Sequence, residues 1–372
     1  MKKQIAGVVF SLLISAEVFY GAQADQGDDL CKLGIQAYEQ EKYEEAINYL
    51  AQASEMGNAE AQDVLGECYF NGYGIRSNPE KAAELFQQAA DQDYAKAYLH
   101  LSDCYYYGFG RGEAHQQSYE KAMELLKKGA ELGDAETQYA LGLRYFGSGM
   151  ATEQDYKKAA KWLKKSAEQG YAPAQCYIGE CYSFGLGVEK SMKKAAEWYL
   201  KAAKQDDYGA MYVLSGFYED GRGVSKDSQK AVEFLQTSAE GGWISSQVEL
   251  GRRYLQGKGV EYSAEQALKW FQKAADRGDP EGRMEIGRYY YVIEQDYEKA
   301  FAYFEEFAQE GNTRSMIVVA YMYQYGIGTQ KDADCAKKWI QKASNLGDQM
   351  ATLILEGEAS ISDNSVIQQT LQ

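Results

Sequence analysis

The sequence predicts an all-α chain: a right-handed α-solenoid of about nine antiparallel helix pairs, closed by a C-terminal capping helix. Three observations carry that expectation. A small residue returns every 32 to 40 positions, an alanine-led apolar stripe lies between its returns, and a pair of glycines separates the two in most copies. Self-similarity at such a period marks stacked supersecondary units rather than one globular core.

The small residue stands in Leu65-Gly66-Glu67-Cys68-Tyr69, Leu141-Gly142, Ile178-Gly179-Glu180-Cys181-Tyr182, Leu250-Gly251 and Ile286-Gly287, with looser copies at Leu33-Gly34, Leu101-Ser102, Leu214-Ser215 and Val319-Ala320. Ala61, Leu65 and Tyr69 follow the i, i+4, i+8 spacing of one helix face, so the first half of each copy is a helix, A. Glycine inside a helix costs up to about 1 kcal/mol against alanine. Its return therefore requires a compensating gain, expected from close approach of the partner helix backbone.

The second half is built on an alanine with an apolar residue three positions on: Ala46/Tyr49, Ala82/Leu85, Ala122/Leu125, Ala159/Trp162, Ala195/Trp198, Ala231/Phe234, Ala267/Trp270, Ala300/Tyr303 and Ala336/Trp339. Further small residues seven and eight positions after the alanine complete the stripe of a second buried helix, B. Between the helices lie Gly72-Tyr73-Gly74, Gly108-Phe109-Gly110, Gly147-Ser148-Gly149, Gly185-Leu186-Gly187, Gly221-Arg222-Gly223, Gly257-Lys258-Gly259 and Gly326-Ile327-Gly328. Glycine accepts the positive φ that ends a helix and turns the chain. Seven such pairs in register, none after a strand, read as turns and not as phosphate cradles.

Copies one and eight lack the glycine loop, at Glu39 to Tyr43 and at Ile293 to Tyr297, and copy three carries a longer loop from Arg111 to Ser118. A hairpin that buries its faces only by stacking needs covered ends. Glu39, Gln40, Glu41, Lys42, Glu44 and Glu45 give copy one a polar outer side, while Met350, Leu353 and Ile354 suit a last helix over copy nine. The expected organisation is therefore a leader over 1–24, repeats over 25–357 and a disordered polar tail over 358–372.

Composition narrows the function. Apolar residues at 45% and charged residues at 25% are ordinary for a folded chain. A formal net charge of −16 argues against nucleic acid, whose backbone is bound through lysine and arginine. His100 and His115 are the only histidines, too few for most metal and acid–base constellations. The expectation is a protein without metal or cofactor, and not an enzyme.

At the N-terminus Lys2 and Lys3 precede an apolar run from Ile5 to Ala16 and then Ala22-Gln23-Ala24. That is the three-part pattern of a secretory signal peptide cleaved before Asp25, and the run is too short to span a bilayer. The competing reading is an amphipathic first helix. Export would place the protein in the periplasm or outside the cell, or in the endoplasmic-reticulum lumen if the source is eukaryotic; the brief leader points to a bacterium. Six cysteines in an exported chain suggest bridges. Yet Cys68, Cys104 and Cys181 share one repeat position about 8 to 10 Å apart in neighbouring units, beyond the reach of a disulfide, and Cys176 and Cys181 diverge around one helix. Free, largely buried thiols are expected.

The pattern Ala-x-x-x-Leu-Gly-x-x-Tyr-x-x-Gly-x-Gly followed by Lys-Ala-x-x-Trp-x-x-Lys-Ala-Ala-x-x-Gly, read at Ala174 to Ala203 and in part at Ala61 to Ala90, resembles the Sel1-like repeat, a relative of the tetratricopeptide repeat with a longer inner loop. The resemblance runs from about Leu30 to Leu355. It implies that helix A lines a concave face, with the positions one, four and five after the small residue, or three before it, turned into a groove. On this chain those are Phe70, Leu99, Tyr106, Tyr107, Tyr139, Leu143 and Phe146 in copies two to four, and Glu219, Asp220, Arg252, Gln256 and Arg288 in copies six to eight. The groove would have an aromatic half and a charged half. Its rings serve either as anchors for a protein or peptide partner or as packing between neighbouring units. Tyr69, Tyr105, Tyr145, Tyr182, Tyr218, Tyr254, Tyr290 and Tyr323, at the shared helix-A position, are expected in the core.

Ser118-x-x-Lys121 and Ser191-x-x-Lys194 resemble the serine–lysine pair of penicillin-recognising hydrolases, but each lysine is the repeat's own Lys-Ala and the remaining motifs are missing. The favoured expectation is an exported interaction scaffold; the alternative is an envelope hydrolase or penicillin-binding protein.

Overall fold

The structure is a computed structural model, and it describes residues 25–108, 115–147 and 153–361. The expected leader, the first part of the copy-three loop and most of the tail lie outside these residues. Among them every regular element is helical, and the chain divides into two compact units between Ala202 and Ala203.

The first unit holds copies one to five. Their helices A and B are 25–39 with Tyr43–Glu55, Ala59–Asn71 with Pro79–Ala90, Ala95–Tyr106 with His115–Glu131, Ala135–Phe146 with Glu153–Glu168, and Ala172–Phe184 with Met192–Ala203. The second holds copies six to nine: Tyr208–Asp220 with Ser228–Glu240, Ile244–Gln256 with Ala264–Asp276, Pro280–Tyr289 with Tyr297–Gln309, and Thr313–Tyr325 with Ala333–Asn345, followed by a closing helix Gln349–Glu356. Helix B of copy three starts at His115, so its loop is shorter than the sequence suggests. The outer charges of copy one, from Glu39 to Glu45, are solvent-exposed except for the intervening Tyr43.

What fills the core differs from the sequence reading in one respect. The fully buried large residue of helix B stands four positions after the alanine: Leu50, Phe86, Leu126, Leu163, Leu235, Phe271 and Phe304 are all essentially inaccessible, with Tyr199 and Ile340 nearly so. At the expected third position Leu85, Leu125, Trp162 and Trp270 are buried, whereas Tyr49, Trp198, Phe234, Tyr303 and Trp339 are only half-buried. Helix-A glycine is explained by the same side chains. A Cβ on Gly66 would lie 2.5 Å from the Phe86 ring, on Gly251 2.5 Å from Phe271, on Gly287 2.5 Å from Phe304 and on Gly142 2.7 Å from Leu163. The gain that offsets glycine's helix penalty is room for a large side chain, more than the backbone approach expected from sequence.

Loops repay their glycines by a second close contact. A Cβ on Gly187 would fall on the Tyr156 carbonyl, and one on Gly328 on the Tyr297 carbonyl, each belonging to helix B of the preceding copy. Glycine is thus what lets a loop rest on its neighbour's first turn. Gly147 departs from the pattern: its φ is −92°, so no left-handed turn is needed there. Where copies one and eight lack the glycine loop, Glu41 and Gln295 adopt φ near 60° in its place, and copy eight ends helix A in a π-helical turn, Tyr290–Glu294.

Two repeated devices were not read from sequence. Buried Gln62, Gln138, Gln175 and Gln247, four positions before the small residue, donate through Nε2 to Ser54, Ala130, Ala167 and Ala239 carbonyls at the end of the previous helix B. They satisfy acceptors that a helix end would otherwise leave open. The shared tyrosines are mostly half-buried, and only Tyr182 is fully buried. The carbonyls of Tyr69, Tyr182, Tyr218, Tyr254, Tyr290 and Tyr323 accept the amide of the residue that caps helix B, as Asn78 to Tyr69, Ser191 to Tyr182 and Asp332 to Tyr323. At the C-terminal end Met350, Ile354, Leu355 and Ile361 pack on the last core. Residues 358–361 therefore continue the closing element, with Glu358 and Ala359 donating to the Leu353 carbonyl.

Candidate functional site

Within each unit helices A of neighbouring copies come side by side, and charged residues meet across that seam. In the first unit His100 Nδ1 lies 2.8 Å from Asp63 and Nε2 lies 3.4 Å from Glu67. Asp63 is almost wholly buried, so its carboxylate has to be paired. Burial pulls the His100 imidazole down, but the Asp63 hydrogen bond and the Asp63, Glu67 and Glu136 charges outweigh it and raise its pKa to about 9. At neutral pH His100 is an imidazolium whose Nδ1 donates to Asp63 while Nε2 faces Glu67 as an ion pair. One copy further on, the Arg144 guanidinium pairs with Asp103 at 2.7 Å and lies 3.8 Å over the Tyr106 ring. Burial pushes the Glu67 and Asp103 carboxyls up, opposed by His100 and Arg144.

The residues expected in the groove of copies two to four fall into three situations. Leu99 does not face a groove: it is 9% exposed and packs with Leu126, Ala130, Leu141 and Trp162. Three positions before the small residue, the helix is still turned toward its own partner in this copy. Phe70, Tyr106, Tyr139, Leu143 and Phe146 are half-buried. Tyr139 meets Tyr171 at 5.2 Å and Tyr177 at 5.6 Å, and Phe146 meets Tyr156 at 5.5 Å and Tyr177 at 6.1 Å, so these rings pack between copies. Tyr107, at the end of helix A, stays 61% exposed. Phe184 holds the equivalent place in copy five, five after Gly179, and is 68% exposed; the positional rule that selects Tyr107 selects it as well.

The second unit has the expected charges, all engaged. Arg252 contacts Glu285 at 2.6 Å and Glu281 at 2.7 Å, and Arg288 lies 3.8 Å from the same Glu285. Glu219 receives Arg253 at 3.2 Å and Lys258 at 3.3 Å, while Asp220 pairs with Arg222; Gln256 is exposed. The division into an aromatic and a charged half does not hold, because the first unit carries its own charges at Asp63, Glu67, His100, Asp103 and Arg144.

The Sel1 repeat pattern matches nine times, over residues 29–58, 59–94, 95–134, 135–171, 172–207, 209–243, 244–279, 284–312 and 313–348. The chain belongs to the Sel1 repeat family. Among solved structures it is similar to c5321, described as a protective antigen present in uropathogenic Escherichia coli strains displaying an SLR fold, at 26% identity and a TM-score of 0.65 over 92% of this chain and 72% of that one. It is also similar to a Sel1 repeat protein from Oxalobacter formigenes, at 28% identity and a TM-score of 0.52 over 93% and 91%. No curated protein sequence matches it.

A Sel1 repeat fold is that of a protein-interaction scaffold, and Sel1 repeat proteins are generally non-catalytic. The two serine–lysine pairs serve the repeat. Ser191 Oγ accepts the Lys194 amide at 3.3 Å at the start of helix B, and the Lys194 ammonium lies 5.3 Å from the Tyr182 ring. Lys158, Lys230 and Lys299 sit in the same way over Tyr145, Tyr218 and Tyr290. Ser118 is buried, and Lys121 pairs with Glu124 at 3.3 Å. None of the six cysteines forms a disulfide. Among the described residues no helix is long and apolar enough to cross a membrane.

Proposed function

We propose that this Sel1 repeat chain is an exported scaffold, bacterial in origin, that holds a protein or peptide partner on the helix-A face in the cell envelope or at a host interface. The observation that carries the reading is the exposure of Tyr107 and Phe184 at equivalent ends of helix A. Large rings left in water at a repeated position offer contact area at low entropic cost, while their half-buried neighbours hold the platform rigid. Export rests on the leader pattern before Asp25. The similar E. coli protein's description as a protective antigen agrees with a chain that leaves the cytoplasm.

A photo-crosslinking residue placed at Tyr107 or Phe184 in the native host should capture one defined polypeptide, whereas the same residue at the exposed helix-B position Glu84 should not. Equal capture at all three positions, or capture at Glu84 alone, overturns the reading. Mass analysis of the recovered chain should show Asp25 as its first residue; an intact Met1 in the exported fraction refutes the leader.

A further inference from the structure

Two pockets occupy the same place in the repeat and carry opposite charge. The first, about 150 Å³, lies between helices A of copies two and three and is lined by Glu67, Phe70, Asn71, His100 and Asp103, with Phe86 below. The second, about 200 Å³, lies between helices A of copies seven and eight and is lined by Arg252, Leu255, Gln256, Glu285 and Arg288, with Tyr289, Val292 and Ile293. Counted from the small residues at 66 and 102 and at 251 and 287, these positions correspond one to one: Glu67 with Arg252, Phe70 with Leu255, Asn71 with Gln256, His100 with Glu285, Asp103 with Arg288. Carboxylate, imidazolium, carboxylate in one is guanidinium, carboxylate, guanidinium in the other.

The inversion bears on what the charges are for. Packing demands a particular residue type at the glycine and at the large residue four after the alanine, which both pairs of copies keep in Gly66 with Phe86 and Gly251 with Phe271. The pocket-lining charge has no such constraint, because either sign satisfies the seam. We propose that the copy two–copy three pocket receives a cationic side chain of the partner, arginine before lysine. This rests on the scaffold reading and names the chemistry of what is held. Around the pocket the three carboxylates Asp63, Glu67 and Asp103 face two cations, His100 and, from the next copy, Arg144, which leaves one negative charge in excess. Phe70 supplies a ring wall, and a planar guanidinium can lie on a ring while meeting a carboxylate edge-on. A chain with a net charge of −16 draws basic partners toward it.

His100 makes the test local, since the chain has only one other histidine. The full mature chain, labelled at histidine, is titrated with a blocked Gly-Arg-Gly peptide, its lysine counterpart and its glutamate counterpart while the imidazole resonances are followed by NMR. The His100 signals should shift and saturate with the arginine peptide, require higher lysine concentrations, and stay in place with glutamate. Glu67→Gln together with Asp103→Asn should weaken the arginine effect at least about tenfold, while Arg252→Gln leaves it unchanged. Glu67→Gln alone, at a half-exposed position, gives the same reading should the double variant lose helical signal. A His100 signal unmoved by arginine up to about 50 mM, or moved equally by glutamate, overturns the proposal. An unmoved signal with intact cross-linking at Tyr107 refutes the pocket alone, whereas a moved signal with no specific cross-link refutes the scaffold reading.

Discussion

Copies two and three and copies seven and eight solve one packing problem with the same apolar parts and opposite electrostatics. In both pairs a helix-A glycine admits a phenylalanine ring, Phe86 or Phe271, and in both a buried carboxylate anchors the seam, Asp63 or Glu285. The cations differ in kind. His100 can release its proton; Arg252 and Arg288 cannot within any ordinary pH range. The comparison separates what the repeat requires from what a particular copy adds. Apolar volume at the glycine site is common property, and the ionic layer above it is specific to each seam.

The largest expected effect tests the common part. Phe86→Ala and Phe271→Ala should each destabilise their own unit by about 3–5 kcal/mol, because each empties a fully enclosed site against a helix that cannot collapse past its own backbone. Urea unfolding followed by helical circular dichroism checks this. If one substitution costs much less than the other, the two cores are not equivalent and the comparison fails at its base.

A smaller, pH-dependent effect should separate the ionic layers. The His100 pKa is raised from 6.5 to about 9. A raised folded-state value for a base means stability that is complete below about pH 6.5, fades as pH climbs, and is gone above about pH 9. At about 1.4 kcal/mol per unit the contribution is on the order of 3 kcal/mol at most. The raised Glu67 and Asp103 carboxyls act in the same direction, losing stability as pH rises, but in the acidic range. Stability of the first unit should therefore fall between pH 6.5 and 9, and His100→Gln should remove that slope. Persistence of the slope in the variant would assign it to other groups.

The fold was legible because its signals are local and repeated. A glycine, an alanine and a glycine pair recur in register, and each needs only its own hairpin to make sense. Residues three and four after the alanine fall on one helix face, so the pattern alone does not separate them; burial separates Leu163 from Trp162 only slightly and Tyr199 from Trp198 clearly. Seam contacts were less legible. His100 with Asp63, Arg144 with Asp103 and Arg252 with Glu285 join residues 33 to 41 apart. In one sequence such charges look like solvated helix faces. The recurring glutamine at 62, 138, 175 and 247 was visible as a pattern, but its role as a cap on the previous helix needed the geometry.

The smallest effect concerns the position two after the small residue, where the pairs differ once more. Copies two and three place Cys68 and Cys104 there; copies seven and eight place Arg253 and Tyr289. Arg253 is 4% exposed yet charged, held by Glu219 and Glu249 at 3.2 Å each. A thiol fills the same space without needing a partner. Burial pushes Cys68 up to about 11 and Cys104 up to about 12, so neither is a thiolate at neutral pH. Alkylation of the native protein at pH 7.5 should leave both unmodified on a timescale that labels an exposed cysteine fully, with modification appearing only in denaturant. Cys68→Ala and Cys104→Ala should each cost about 1 kcal/mol, since only a sulfur is lost from an apolar site and no charge is orphaned. Rapid native labelling would mean that the first unit's seam opens readily, and that its ionic layer, weaker for relying on a proton that can leave, governs the opening.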